Sequence, residues 1–196
     1  MSLQSWEETL VALRLDGPAQ NTFTTAKSIF GVDGTDEAAE AKYTLPANFF
    51  VRGKALSISL QGDISNIVTT PGTIVFQVML GAVIAFTTGN IQMSTTAHTA
   101  LPFWLDIELT CQVGGAGTQA KLMGQGKIIS QCVANTAVAD SVANTLPTLL
   151  VPNTTPAQGT GFDATAAQKL DIFVGFSISN SGNQVRVRQY RLRSLN

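Results

Sequence analysis

Charge is scarce in this sequence. Asp, Glu, Lys and Arg make up 13% of its 196 residues and the formal net charge is −1, whereas an ordinary domain carries roughly 25% charged residues. This balance lacks the basic footprint that neutralises phosphates, so no nucleic-acid partner is expected. Cysteine is nearly absent too. Cys111 and Cys132 are the only two, which excludes a disulfide framework. Cys111 alternates in phase with Leu105, Ile107 and Leu109 and is expected as a buried thiol, with a Cys111–Cys132 bridge as the lesser alternative. There is one histidine, His98. One histidine and two core cysteines cannot make a usual zinc site. No Gly-x-Ser-x-Gly elbow supports a Ser-His-Asp triad, so His98 is expected in a polar loop. No cofactor is expected.

Long apolar runs are also missing. The best stretch, Ile74 to Phe86, is interrupted by Gln77 and Gly81 and falls short of the ~18 residues a membrane helix needs. The start, Met1-Ser2-Leu3-Gln4 leading to Trp6-Glu7-Glu8, has neither a basic opening nor an apolar core, so no signal peptide or membrane partner is expected.

What the sequence does have is alternation. Leu170, Ile172, Val174, Phe176 and Ile178 recur at every second position, the period of a strand with one face on a core. Asn180-Ser181-Gly182-Asn183 follows as a turn cluster, with Gly182 able to supply a positive φ, and Gln184 to Leu195 reads as the returning strand of a hairpin. Leu56, Ile58 and Leu60 alternate with Ser57, Ser59 and Gln61; Ile74, Phe76, Val78 and Leu80 precede the reversal Gly81-Ala82; and Pro102 opens the clearest strand, Phe103 to Val113. The next strand, Ala120 to Val133, contains Gly124 and Gly126, where another backbone or a bulge comes close. Residues 134–167 read as a long connection. About eight strands at these spacings predict an all-β sandwich or barrel, with long strands and long excursions favouring a jelly roll. Near the start, Ser5-x-x-Glu8 fits a capping box and Trp6, Leu10 and Leu13 fall at helical spacing. Val11, Leu13 and Leu15 suit a strand equally.

The last strand carries a conflict. Val185 and Val187 are odd-numbered, while Tyr190 and Leu192 are even. If all four face the core, the phase slips near Arg188-Gln189, as a β-bulge would allow. Otherwise both faces are covered, and Arg186, Arg188, Arg191 and Arg193 border a partner. Arg186 and Arg188 are expected on one face, Arg191 and Arg193 on the other. Acidic residues gather early, from Glu7 to Glu40, which favours pairing between the chain's ends or between copies.

Two constellations bear on chemistry. Asp106 and Glu108 share one strand face with Trp104. That spacing suits the carboxylates of a glycosidase, or a solvated face with Trp104 under a loop or neighbour; the latter is preferred and no catalytic residue is assigned. Asp33-Gly34-Thr35-Asp36-Glu37 lacks the full spacing of a calcium loop, and a solvated loop is preferred.

Several strings resemble a family of tailed-bacteriophage virion proteins. They are Lys42-Tyr43-Thr44-Leu45-Pro46-Ala47-Asn48-Phe49-Phe50, Val68-Thr69-Thr70-Pro71-Gly72-Thr73, Leu122-Met123-Gly124-Gln125-Gly126, the stretch from Gly159 to Gln168, and the ending Gln189 to Asn196. The resemblance runs from about residue 42 to the end. It implies a jelly-roll β-sandwich over residues 42–196 that forms a homotrimer and binds the outside of a capsid or is built into a tail. Residues 1–41 lie outside it and are expected as an N-terminal arm or docking segment, with Trp6, Leu10 and Leu13 as contacts. The expected role is a non-enzymatic capsid decoration (cement) protein in the virion, whose partners are its own copies and the major capsid protein or another virion protein. Val75, Met79 and Phe173 would supply apolar contact area. A tail-fibre head recognising host glycans is the alternative.

Overall fold

The computed structural model describes residues 7–134 and 148–195. In chain order its strands are β1 (Glu7–Ala12), β2 (Gln20–Asn21), β3 (Lys27–Ser28), β4 (Tyr43–Leu45), β5 (Ala55–Asn66), β6 (Thr73–Leu80) and β7 (Val83–Thr87). They continue as β8 (Ile91–Met93), β9 (His98–Val113), β10 (Lys121–Ile129), β11 (Val133–Ala134), β12 (Thr148–Val151), β13 (Gln168–Phe176) and β14 (Gln184–Leu195). One short 3-10 helix, Glu37–Ala41, lies between β3 and β4. The strands form two antiparallel sheets. Sheet A runs β1-β14-β5-β9-β10-β12, with β2 also on β14; sheet B runs β11-β8-β6-β13-β3, with β7 on β6 and β4 on β13. The molecule is thus the all-β, two-sheet protein that the alternation predicts. Six of its strands are only two to four residues long, too short to show a period.

Alternation decides which side chains are buried. In sheet A the inward residues include Leu56, Ile58 and Leu60 of β5 and Leu105, Ile107, Leu109 and Cys111 of β9. Sheet B answers with Ile74, Phe76, Val78 and Leu80 of β6 and Leu170, Ile172, Val174 and Phe176 of β13. The stacked rings of Phe76 and Phe103, 5.8 Å between centroids, join the two layers. Cys111 and Cys132 are both buried, and each sulfur donates to a carbonyl, of Val113 and Ile64 respectively. Burial pushes the Cys111 thiol up from its usual range. Gly81-Ala82 makes the tight β6–β7 reversal with Leu80 opposite Val83, Gly81 taking a φ of 58°. A Cβ on Gly126 would collide with the Asp106 carbonyl, and one on Gly124 with the ring of Phe86, the close approaches expected there.

Several expectations need correction. Ser5 to Leu15, which fits helix or strand equally, forms strand β1 at Glu7–Ala12, paired with Arg191 to Leu195. The edge of β14 offers a row of unpaired N–H and C=O groups, and pairing them outweighs a local capping signal. Leu10 and Leu13 are partly buried against the core; Trp6 lies outside the described residues. Residues 7–41 supply strands to both sheets and place Phe23, Ile29 and Phe30 in the core, with Phe30 4.8 Å from the Tyr190 ring. The C-terminal hairpin is not one: β13 belongs to sheet B and β14 to sheet A. The turn cluster carries the chain between layers. Asn183, fully buried, donates to the Pro71 and Ile178 carbonyls and accepts from the Ile67 N–H. Gly182 is not in the left-handed region; its missing Cβ leaves room for Ile67. β9 starts at His98, four residues before Pro102, so His98 sits on a strand rather than in a loop. In the long connection, β12 and the buried Phe162 are ordered parts of the sandwich; residues 135–147 lie outside the described residues.

The strand conflict in β14 resolves through a bulge. Val187 is opposite Gly62 and Gln189 opposite Gln61, so Arg188 is the extra residue. Val185, Val187, Tyr190 and Leu192 are accordingly all buried.

A buried ion pair fastens the N-terminal segment to sheet B. The Lys42 ammonium, 7% exposed, donates to the Gly31 carbonyl at 2.7 Å and to Asp33 at 2.6 Å, and lies 3.5 Å from Asp171. Asp171 also accepts from the Ser28 hydroxyl and the Ile172 N–H. Burial pushes the Asp171 carboxyl up, opposed by Ser28 and Lys42, while Lys169 and Lys42 hold Asp33 down at about 2. In Lys42→Met, Asp171 loses its cation and its folded-state pKa rises further above the ordinary 3.8. Protonated Asp171 needs no cation, so the penalty is small at pH 3.5 and grows as pH rises. Asp33 acts in the same sense, because the stability from its lowered pKa is present above about pH 4 and lost toward pH 2. The expected loss is about 3 kcal/mol at pH 7 and clearly less at pH 3.5, read from urea melts. Equal losses at both pH values would contradict the charge argument.

Candidate functional site on the outer face of sheet A

Ladder register turns scattered sequence positions into a grid. Along β9, Trp104, Asp106 and Glu108 point away from the core, between buried Leu105, Ile107 and Leu109. On one side lie Gln61, Ser59 and Ser57 of β5, opposite Trp104, Asp106 and Glu108 respectively. Beyond them come Gln189, Arg191 and Arg193 of β14. On the other side Lys127 and Gln125 of β10 stand opposite Asp106 and Glu108. At ~4.8 Å between strands, this is a polar platform four strands wide.

Its centre is hydrogen-bonded. Asp106 Oδ1 accepts from the Ser59 hydroxyl at 2.7 Å and from the Trp104 indole N–H at 3.1 Å, and Lys127 Nζ lies 3.9 Å from Oδ2. Trp104 is therefore tethered through its nitrogen while 48% exposed, and no loop among the described residues encloses it as expected. Two hollows flank this centre. One, of about 730 Å³, is lined by Trp104, Asp106, Ser59, Gln61, Gln189 and Arg191 among others; the second, of about 530 Å³, by Asp106, Glu108, Ser57, Gln125, Lys127 and Leu150 among others. Arg193 borders both.

The arginines do not split across two faces as the uninterrupted period predicts. The bulge at Arg188 brings Arg186, Arg188, Arg191 and Arg193 to the outer side of β14, opposite the buried Val187, Tyr190 and Leu192. They still do not form a phosphate stripe. Arg188 pairs with Asp16 and Asp63, and Arg193 with Glu7 at 2.5 Å, so the early acids and late arginines meet within one chain. These bonds raise the Arg188 pKa. Arg186 and Arg191 have no acidic partner among the described residues. The acidic loop is likewise occupied: Asp33 binds Lys42 and Lys169, and Asp36 accepts from the Val32 N–H. Among the described residues no group of three or more His, Cys, Asp or Glu is placed to hold a metal.

Sequence reasoning found the Trp104–Asp106–Glu108 row from its i, i+2 spacing. It did not find Lys127, Gln125, Gln189 and Leu150 as its neighbours, because only register joins strands dozens of residues apart. No protein-family model matches the chain, and no curated protein matches it.

Proposed function

We propose that this chain is a non-enzymatic structural subunit of a tailed-phage virion: a jelly-roll decoration protein that binds the outside of the capsid as a homotrimer and reinforces the shell. The observation that carries the reading is the outward side of sheet B. There Val75 of β6 and Phe173 of β13, both half-buried, and Ile84 of β7, 37% exposed, lie around the buried Met79, with Gln77 and Asp171 as their polar neighbours in the ladder. Obligate interfaces are rich in such surface and depleted in charge. The low overall charge and the resemblance of residues 42–196 to phage virion proteins support the same reading. The carboxylates of sheet A fit it too. A general acid needs a carboxyl shielded from solvent, whereas Glu108 is exposed and Asp106 is hydrogen-bonded beside Lys127.

The test is assembly. Light scattering at micromolar concentration is expected to give a mass of three chains, and Val75→Lys is expected to reduce it to one while preserving the thermal transition. A cryo-EM map of the particle is expected to show the protein in hundreds of copies on the shell. A single-chain mass for the unaltered protein would sink the trimer, and a few copies confined to the tail would sink the decoration role.

A further inference from the structure

We propose that the outer face of sheet A around Trp104 is a carbohydrate-binding site for an acidic oligosaccharide, one carrying a uronate or similar carboxylate. This inference stands apart from the capsid reading, since it rests on a different sheet and needs no particular assembly.

Three observations converge. First, Trp104 presents an exposed indole whose N–H is already used by Asp106. The ring is thereby held in place, and what it offers a ligand is its apolar surface, which suits the C–H face of a pyranose. Second, the surroundings are hydrogen-bonding groups at ladder spacing: Gln61 beside Trp104, Gln189 beyond it, and Ser59 and Asp106 in the next row. Sugar hydroxyls need donors and acceptors of this mixed kind, and the hollow of about 730 Å³ lies within the ~300–1,000 Å³ of small-molecule sites. Third, Arg191 lines that hollow and has no acidic partner among the described residues, unlike Arg188 and Arg193. A guanidinium free to make two parallel hydrogen bonds is the natural partner of a ligand carboxylate.

Other occupants fit less well. A protein interface has a core depleted in charge, but this face has Asp106 between Ser59 and Lys127 at its centre. A nucleic acid would meet Asp106 and Glu108 with its phosphates and find a single aromatic to stack on.

The experiment is a glycan array of neutral, uronate-bearing and sialate-bearing oligosaccharides probed with the full chain, followed by titration of the best binder. Saturable binding to acidic oligosaccharides is expected. Trp104→Ala is expected to weaken it about tenfold or more, as loss of an aromatic anchor does. Arg191→Gln is expected to erase the preference for the acidic sugar over its carboxyl-reduced form. Both side chains are outside the core, so both variants are expected to melt as the unaltered protein does; Gln61→Ala provides a third variant with the same expected weakening. No binding to any sugar overturns the proposal, as does binding unchanged in Trp104→Ala. Binding to neutral sugars alone, or an acidic preference that survives Arg191→Gln, overturns the acidic-ligand assignment.

Discussion

A chain that begins at Lys42 is expected not to fold. Removing residues 1–41 strips β1 and β2 from the outer edge of β14 and β3 from β13. It also removes Phe23, Ile29 and Phe30 from the core, the last two with no exposed surface. Burying a side chain of that size stabilises by roughly 1.5–3 kcal/mol, and the truncated protein would additionally expose Tyr190 and the unpaired groups of β14. The total rivals the ~5–15 kcal/mol that holds a typical domain together. Circular dichroism and a thermal scan of residues 42–196 are expected to show no cooperative transition. A sharp transition near that of the full chain would mean that the first forty residues are a dispensable arm after all.

Two single deletions in β14 are expected to differ widely in cost, although only three positions separate them. Deleting Arg188 removes the bulge residue and leaves a regular ladder in which Val187 still faces Gly62 and Gln189 still faces Gln61. Every buried side chain keeps its phase, and the loss is the ion pairs to Asp16 and Asp63, which are partly exposed, screened by solvent and weakly stabilising. Deleting Arg191 has no such outcome. Either Leu192 turns outward and Arg193 inward, or the bulge is consumed and Tyr190 turns outward in exchange for Gln189. Each alternative moves a large core side chain into water and a polar one into the core, for about 3 kcal/mol or more. Urea denaturation of the two variants decides; equal destabilisation would mean that Arg188 is not the residue that corrects the phase.

The phase conflict is legible because it lies within one strand, two valines on odd positions and Tyr190 and Leu192 on even ones; that a bulge resolves it, rather than burial of both faces, is settled by the register with β5. The Trp104–Asp106–Glu108 row was legible for the same reason. Its role was not, because Ser59, Lys127 and Arg191 reach it only through pairing across three other strands. At the N-terminus the local signals are balanced, Ser5-x-x-Glu8 with Leu10 and Leu13 for a helix and Val11, Leu13 and Leu15 for a strand; a ladder with β14, almost the whole chain away, decides for the strand. The supposed hairpin failed likewise. A cluster of Asn, Ser and Gly marks a change of direction but not whether the next strand joins the same sheet. A strict period of two, extended across the bulge, puts the arginines on two faces, whereas the bulge gathers them on one.

Sequence alone is enough for the all-β class and for the buried face of the regularly alternating strands, and it marks where β14 must either slip phase or bury both faces. These follow from side-chain alternation, which is local. Only the tertiary structure decided which strands pair, which sheet each joins, and hence which polar residues share the outer face of sheet A. Backbone hydrogen bonds are alike for every strand pair, so partner choice is settled by how the apolar faces pack together, a property of the whole chain rather than of any segment.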